Sequence, residues 1–401
     1  MNLSPYREIQ NRDKYFFSFI ALFGMLVSGL SIDIYSPSLP AVTTYFNVDK
    51  GLVQLTITTY IIGFGVAQLF AGSLSDSVGR KMPLMIAITL YSIFSFMIAY
   101  AQNIYQLQTL RFLQGVAVAC LNVPTRAIIA DLFEGPEFYK MMNYVSIAWA
   151  IGPIIAPAIG GYLQHYFGWY ASFYFLAIYG VFLLILNAVF LPETIKEKHA
   201  FNAHVLFHQY RLLFSNKNYV LGVISLGAIY AMLILFNVVA PFLIQDVLHY
   251  LPIQFGYMAF FMGLSWFFGN LSNRLLSTIN IRKKVIVCLL LMLFIIFIML
   301  SFAIKETISI ADILIPTGFL FYLGGIIFPN YFAQNVAIFQ HIAGQANGLM
   351  GAAIICIGGL GSVVGILLKS HSQVPLTLAY LGIIVICLIS SYFINVPSDQ
   401  K

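Results

Sequence analysis

The sequence predicts an all-α membrane protein, with twelve transmembrane helices in two pseudo-symmetric six-helix bundles. Three observations predict it: the composition, the length of the apolar runs and their division into two sets of six. Of 401 residues, 60% are hydrophobic and 8% are charged, whereas a soluble protein carries about 25% charged residues. This composition excludes a soluble globular protein, a disordered chain and a coiled coil. The apolar runs are continuous rather than alternating, which argues against a β-barrel.

A transmembrane helix needs about 20 mostly apolar residues, and twelve stretches meet that requirement. They are residues 15–37, 51–73, 83–101, 105–128, 140–163, 171–191, 219–244, 252–274, 284–304, 310–332, 344–368 and 375–395. A polar stretch separates the sixth from the seventh. We therefore expect five segments, namely a cytoplasmic N-terminal segment 1–14, an N-terminal bundle 15–191, a cytoplasmic linker 192–218, a C-terminal bundle 219–395 and a cytoplasmic tail 396–401.

The distribution of basic residues predicts the orientation. If the N-terminus is cytoplasmic, the loops on the other side hold only Lys50, Lys305 and Lys369, and nearly all remaining lysines and arginines lie in cytoplasmic segments. Such a bias is typical of membrane proteins, so we expect both termini in the cytoplasm.

The two halves of the chain also resemble each other. The stretch Gly72–Asp76 reads GSLSD at the end of the second span, and Gly269–Asn273 reads GNLSN at the end of the eighth. Together with the six-plus-six pattern, this similarity predicts two related halves, as in transporters built from repeats.

Two ionisable residues lie inside predicted spans at similar depth. Asp33 is about 18 residues into the first span, and Arg111 is about six residues into the fourth, which starts from the opposite side. Such residues are costly in a membrane and are functional candidates. Desolvation and a nearby guanidinium act in opposite senses on the proton affinity of a carboxylate. We expect Asp33 and Arg111 to pair or share a network that couples protons or substrate; a fixed structural ion pair is the alternative.

The fourth span has further polar residues on the face of Arg111. Asn122 follows after 11 residues, which is close to three helical turns. The sequence predicts that Asn122 lies on the wall of a substrate cavity, although a helix-packing seam explains it nearly as well. Arg126 and Asp131, near the cytoplasmic end, are interpreted as gate residues.

Aromatic and amide residues in other spans are further cavity candidates, because pockets for apolar ligands combine aromatic walls with a few polar anchors. These candidates are Tyr35, Trp149, Tyr230, Asn237 and Trp266. In a chain that is 16% aromatic, packing is the alternative for each. Near Tyr35, Pro37 and Pro40 are expected to break or bend the first span.

The fifth span is unusually rich in glycine and proline. It contains Gly152, Pro153, Pro157, Gly160 and Gly161. Such a helix is tolerated where its neighbours satisfy the freed carbonyls, and it packs closely. We expect it at an interface between the halves that moves.

The turn after the second span starts at Gly72 and ends with Gly79-Arg80-Lys81. Gly79 suits a tight turn, and the two basic residues anchor the loop in the cytoplasm. Asp76 is expected near a helix N-terminus or an arginine, and Arg80 is expected to meet Asp131.

These motifs resemble a known family. Gly72-x-Leu-x-Asp76-x-x-Gly79-Arg80-Lys81 resembles the signature loop of the major facilitator superfamily, and Arg111-Phe-Leu-Gln-Gly115 resembles its span-four motif. Gly152-Pro153 through Gly160-Gly161 is similar to the span-five motif of its antiporters. Four further stretches resemble the bicyclomycin-resistance branch of drug exporters: Asp33-x-Tyr-x-Pro-Ser-Leu-Pro40, Arg126-Ala-Ile-Ile-Ala-Asp131, Gly168-Trp-x-Ala-Ser-Phe173 and Leu191-Pro-Glu-Thr194.

The resemblance implies drug efflux driven by an inward proton gradient in a bacterial inner membrane. It implies that Asp33 binds protons or cationic substrate, that Arg111 tunes it, and that Asp76, Arg80 and Asp131 form a cytoplasmic gate. The second half departs from the pattern, with Asn273 in place of an acid.

Other functions remain open. A proton-coupled transporter of one metabolite or siderophore would use the same fold. A membrane enzyme would need carboxylates or histidines on sizeable external loops, and these loops are short. No Gly-x-x-x-x-Gly-Lys-Ser/Thr loop occurs, which excludes a primary pump on this chain.

We expect small-molecule substrate, protons and membrane lipid as partners, no nucleic acid, no cofactor, no metal and a monomeric state. His204 and His208 have the i, i+4 spacing of a metal-ligand pair on a helix, but the favoured interpretation is a solvated linker helix.

Overall fold

The computed structural model describes residues 11–195, 198, 203–303, 309–339, 343–368 and 372–394. Within these ranges the chain is almost entirely helical and contains no β-strand. The expected segment 1–14, the linker and the tail 396–401 lie partly or wholly outside the described residues, so their predicted limits stay predictions.

Fourteen α-helices occur in the described ranges. They are α1 Asn11–Asp33, α2 Leu39–Phe46, α3 Lys50–Val78, α4 Lys81–Ile98, α5 Ile104–Leu132, α6 Gly135–Phe167, α7 Ala171–Phe190, α8 Ala203–Ser215, α9 Lys217–Phe242, α10 Pro252–Leu275, α11 Ile281–Ala303, α12 Ile310–Ile338, α13 Ala343–Leu367 and α14 Val374–Phe393. We call the end of the bundle where α3 begins the Lys50 side and the opposite end the Arg80 side.

Twelve of these helices correspond to the predicted spans, and α2 and α8 are the two short ones. Eleven spans in the described ranges are long and apolar enough to cross a membrane. The remaining long helix, α10, has 24 residues. Its hydropathy is lower because it contains polar residues such as Gln254, Asn270 and Asn273. The predicted fold class is confirmed.

The first span is broken where the prolines predict it. Helix α1 ends at Asp33, a short 3-10 helix covers Ser36–Ser38, and α2 follows. Each of the latter two helices has proline in its first turn, where a missing N–H costs nothing. The break places Asp33 at a helix end inside the bundle.

The spans before α8, namely α1 and α3 to α7, form the first helix set, and α9 to α14 form the second. Helix packing repeats between these two sets. In the first set, α3 packs on α5, α1 on α6, and α4 on α7; in the second, α10 packs on α12, α9 on α13, and α11 on α14. The sets meet through α3 with α13 and through α6 with α10. The second span of each set thus contacts the fifth span of the other, as pseudo-symmetry requires.

Glycines of α6 allow very close approach on two sides. A Cβ on Gly160 would lie 1.9 Å from the carbonyl oxygen of Ile34, and one on Gly161 would lie 2.6 Å from that of Pro252. Helix α1 contributes a glycine to its contact with α6 as well: a Cβ on Gly29 would lie 2.3 Å from Cδ of Pro153. Helix α6 therefore packs against both α1 and α10 with almost no side-chain volume between the backbones.

We expect Gly160→Val to be strongly destabilising, by about 3 kcal/mol or more, because a side chain there meets backbone that cannot move aside. The yield of folded protein and the melting temperature in detergent measure this. Gly382→Val on α14 is the matched control, because nothing lies within 4 Å of its added Cβ. Equal melting temperatures for the two variants would contradict the close packing.

Candidate functional site

Asp33 lies at the contact between the two helix sets. Its side chain is 5% exposed, and it is the only buried acidic residue among those described. The Asn237 side-chain amide on α9 donates a hydrogen bond of 2.5 Å from Nδ2 to Oδ1 of Asp33. Asn237 was predicted as a cavity residue; the structure makes it the direct partner of the buried carboxylate.

Polar contacts between the sets surround this pair on the Lys50 side. Ser36 Oγ donates to the carbonyl oxygen of Asn237 at 2.8 Å, and Gln54 Nε2 donates to the carbonyl oxygen of Val238 at 2.9 Å. Gln245 Nε2 donates to the carbonyl oxygen of Pro37 at 3.0 Å. The chain break after α1 and the end of α9 are thereby tied together.

Two further contacts close the same side. Lys50 Nζ lies 2.8 Å from a carboxylate oxygen of Asp246, and the hydroxyls of Thr58 and Ser362 lie 2.7 Å apart. The two helix sets are thus joined on the Lys50 side by a salt bridge and several hydrogen bonds. Sequence reasoning missed these contacts, because single polar residues far apart in the chain give no signal of their pairing.

Asp33 and Arg111 do not form the direct ion pair that was one of the two expectations, and a shared network that couples protons or substrate stays a prediction. Arg111 is fully buried; Nη1 donates to the carbonyl oxygen of Ser31 at 3.1 Å and to Oε1 of Gln114 at 2.7 Å. No ion pair joins it to Asp33 in the described part of the chain. Similar depth in two helices does not fix which way each helix turns its side chains.

Aromatic rings enclose the Arg111 guanidinium instead. Its carbon lies 4.3 Å from the ring centre of Tyr60, 5.3 Å from that of Tyr35 and 5.7 Å from that of Phe173. Cation–π contacts of this kind stabilise a desolvated cation. Tyr35, predicted as a cavity residue, is therefore part of the enclosure of Arg111.

The other aromatic candidates lie at two places. Trp149 and Tyr230 are paired across the sets, with ring centres 6.1 Å apart, so α6 and α9 bring them together. Trp266 packs on α12, where its ring centre lies 5.7 Å from that of Phe328 and a Cβ on Gly324 would lie 2.8 Å from its ring.

The predicted turn after the second span is shorter than expected. Helix α3 continues through Gly72 and Asp76 to Val78, so the turn consists of Gly79 and Arg80. The motif glycine Gly79 has a φ of +120°, and a Cβ on it would lie 2.6 Å from Oε2 of Glu193. Only glycine suits this position.

Arg80 is the centre of an ion-pair network. Its guanidinium Nε donates to Oδ2 of Asp131 at 2.9 Å, and Nη1 donates to Asp76 and to the Ser75 hydroxyl. Burial acts to lower the pKa of the Arg80 guanidinium, but the hydrogen bonds and charges of Asp131 and Asp76 outweigh it and raise the pKa. The expected contact between Arg80 and Asp131 is present.

A glutamate that the sequence did not single out completes the network. Glu193 accepts hydrogen bonds from the backbone N–H groups of Arg80 at 2.9 Å and Lys81 at 3.2 Å. These are unpaired donors at the start of α4, where a negative charge is favourable. Thr194 donates to Asp131 at 3.0 Å. The sequence signal for Glu193 and Thr194 is the Leu191–Thr194 motif, from which no role was predicted.

The second set has a polar cluster that resembles the Arg80 network but carries less charge. Lys284 Nζ donates to Oδ1 of Asn273 at 2.8 Å, and Asn330 Nδ2 donates to the same oxygen at 2.9 Å. Asn273 corresponds to Asp76 in the repeated stretch. A cation near the start of α11 thus contacts the repeated stretch, as Arg80 does before α4, while the acid is absent, as the sequence shows.

Asn122 and Arg126 lie apart from these networks. Arg126 was predicted as a gate residue, but in the described part of the chain it forms neither an ion pair nor a hydrogen bond with the Arg80 network. Asn122 is 2% exposed, and both atoms of its amide lack a hydrogen-bond partner there.

A bundle of membrane-spanning helices in two related sets, with a buried carboxylate where the sets meet, defines a transporter rather than an enzyme. The chain belongs to the Major Facilitator Superfamily, whose family model matches residues 21–366. The resemblance inferred from the motifs is confirmed.

Relatives cover nearly the whole chain. The bicyclomycin resistance protein homolog of Haemophilus influenzae is 25% identical over 397 residues, covering 96% of this chain and 98% of that protein. Multidrug resistance protein D of Escherichia coli is 24% identical over 361 residues, covering 88% and 87%. A D-xylose-proton symporter structure has a TM-score of 0.77 and 16% identity, covering 96% of this chain and 99% of that one, which shows the shared fold.

Proposed function

We propose that this transporter exports drugs or other small lipophilic compounds across a bacterial inner membrane by alternating access, driven by protons. The observation that carries the proposal is Asp33, a carboxylate buried between the two helix sets and bonded to Asn237 of the opposite set. Relatives named for bicyclomycin and multidrug resistance support the export of drugs. Transport of one metabolite or siderophore is the second candidate.

Asp33 is suited to couple a proton to conformation. Ionised, its oxygens only accept hydrogen bonds, and the Asn237 amide supplies one; protonated, one oxygen becomes a donor. The strength of the contact between α1 and α9 therefore depends on the proton. Since that contact belongs to the closed Lys50 side, binding or losing a proton biases which side is open.

The distribution of basic residues supports an orientation in the membrane. We infer that the Arg80 side faces the cytoplasm, because lysines and arginines concentrate there. In this orientation the structure is closed towards the outside. The network of Asp76, Arg80 and Asp131 would then brace the cytoplasmic ends of α3 and α5, and the chain would act as a monomer.

Reconstituted vesicles test the proposal. The probe is a lipophilic dye without a titratable amine, so that a pH difference cannot trap it passively. Antiport predicts dye accumulation when the lumen is acidic; one proton moving down a pH difference of about 1.7 units provides roughly 2.3 kcal/mol, about a fiftyfold gradient. Protein-free vesicles and added protonophore are the controls. Accumulation only with an alkaline lumen would contradict export and indicate uptake.

A further inference from the structure

The position of Arg126 on α5 directs it towards the space between α1 and α3. On the same helix, Thr125 packs against Gly24 of α1, and Val123 packs against Gly72 of α3. With 100° between successive residues, Arg126 lies on the arc between these two contacts. The residue has intermediate exposure, so neighbouring helices do not cover it completely.

No acid neutralises Arg126 in the described part of the chain. The three ion pairs found there involve Lys50 and Arg80, and the Nε of Arg126 is buried without a hydrogen-bond acceptor. An uncompensated cation inside a membrane protein is a strong indication of function. Arg80, by contrast, has two aspartates for one guanidinium.

Asn122 supplies the second, independent observation. It lies one turn before Arg126 on the same face, and its side chain is 2% exposed with neither amide atom bonded. The nearby Thr125 hydroxyl does not serve it, because that group donates to its own helix at Leu121. A buried amide without a protein partner is rare, and its donor and acceptor are available to a bound group.

We propose that Asn122 and Arg126 form a subsite for an anionic group, a carboxylate or sulfonate, of the transported compound. The guanidinium offers two parallel N–H groups that match the two oxygens of such an anion, and the Asn122 amide adds a third donor from the adjacent turn. The substrate class is therefore lipophilic organic acids or zwitterions. The inference rests on the proposed transport of lipophilic compounds, and it assigns one end of the substrate.

The test is direct binding to the purified full-length protein in detergent, with 2-naphthoate and its uncharged methyl ester as a matched pair. Tryptophan fluorescence or calorimetry measures both affinities. Arg126→Gln is expected to weaken naphthoate binding about tenfold or more and to leave ester binding within twofold. Arg126→Lys is expected to recover part of the loss. Arg211→Gln, an exposed arginine of α8, is the control and should change neither affinity.

Three results would overturn the subsite. They are unchanged naphthoate binding in Arg126→Gln, an equal loss for acid and ester, and abolition of naphthoate binding by anionic phosphatidylglycerol but not by phosphatidylcholine, which would assign the guanidinium to lipid. Binding needs no pH gradient, so a failure of gradient-driven transport leaves this readout intact. Conversely, loss of the subsite leaves the proton-coupling test unaffected.

Discussion

Asp33→Asn is expected to abolish uphill transport while leaving the protein folded. The substitution keeps the shape of the side chain and an oxygen that accepts from Asn237, but it removes the only buried carboxylate of the described residues. Without a group that binds and releases a proton, a pH gradient has no effect on the cycle. In acid-lumen vesicles the accumulation ratio should fall from about fiftyfold towards one.

Exchange of labelled for unlabelled dye at equal concentrations separates loss of coupling from loss of transport. This exchange needs no net proton movement, so Asp33→Asn should retain it. Asp49→Asn is the matched control, since Asp49 is exposed in the loop before α3, and it should accumulate dye like the wild type. Equal uphill accumulation by wild type and Asp33→Asn would remove Asp33 from the mechanism.

Local signals in the sequence predicted most of the fold. Apolar runs gave the twelve spans, and Pro37 and Pro40 marked the break after α1, because missing N–H groups and hydropathy act locally. The ends of the helices were predicted less accurately. Helix α3 extends past Gly72 to Val78, because the polar end of a helix that leaves the membrane has a sequence like that of a turn.

The sequence predicted part of the site, and the errors in that prediction have one physical cause. Asp33 was found because an acid in an apolar run is conspicuous. Its partner Asn237 lies about 200 positions away, and pairing at that distance depends on how α1 and α9 rotate against each other. Depth in the membrane suggested Arg111 instead, although that guanidinium is enclosed by aromatic rings.

Asn237→Leu is expected to open the Lys50 side, because it removes the amide that joins α9 to Asp33 at similar side-chain volume. A hydrogen bond to a charged group contributes about 1.5–3 kcal/mol, so the closed population should fall about tenfold or more relative to the open one. Spin labels at Thr44→Cys and Leu251→Cys, both exposed on that side, report the change as a longer distance. The background lacks the native cysteines.

Asn187→Leu is the control, since the Asn187 amide is buried but donates only within α7, to Leu183. Its distance distribution should match the wild type. A double-mutant cycle then locates the cause. If the bond to Asp33 holds the side closed, Asn237→Leu should have little further effect in an Asp33→Leu protein, where that acceptor is gone. An equally large opening in both backgrounds would show that Asn237 acts through packing alone, and the proton would then have no route through this contact to the closed side.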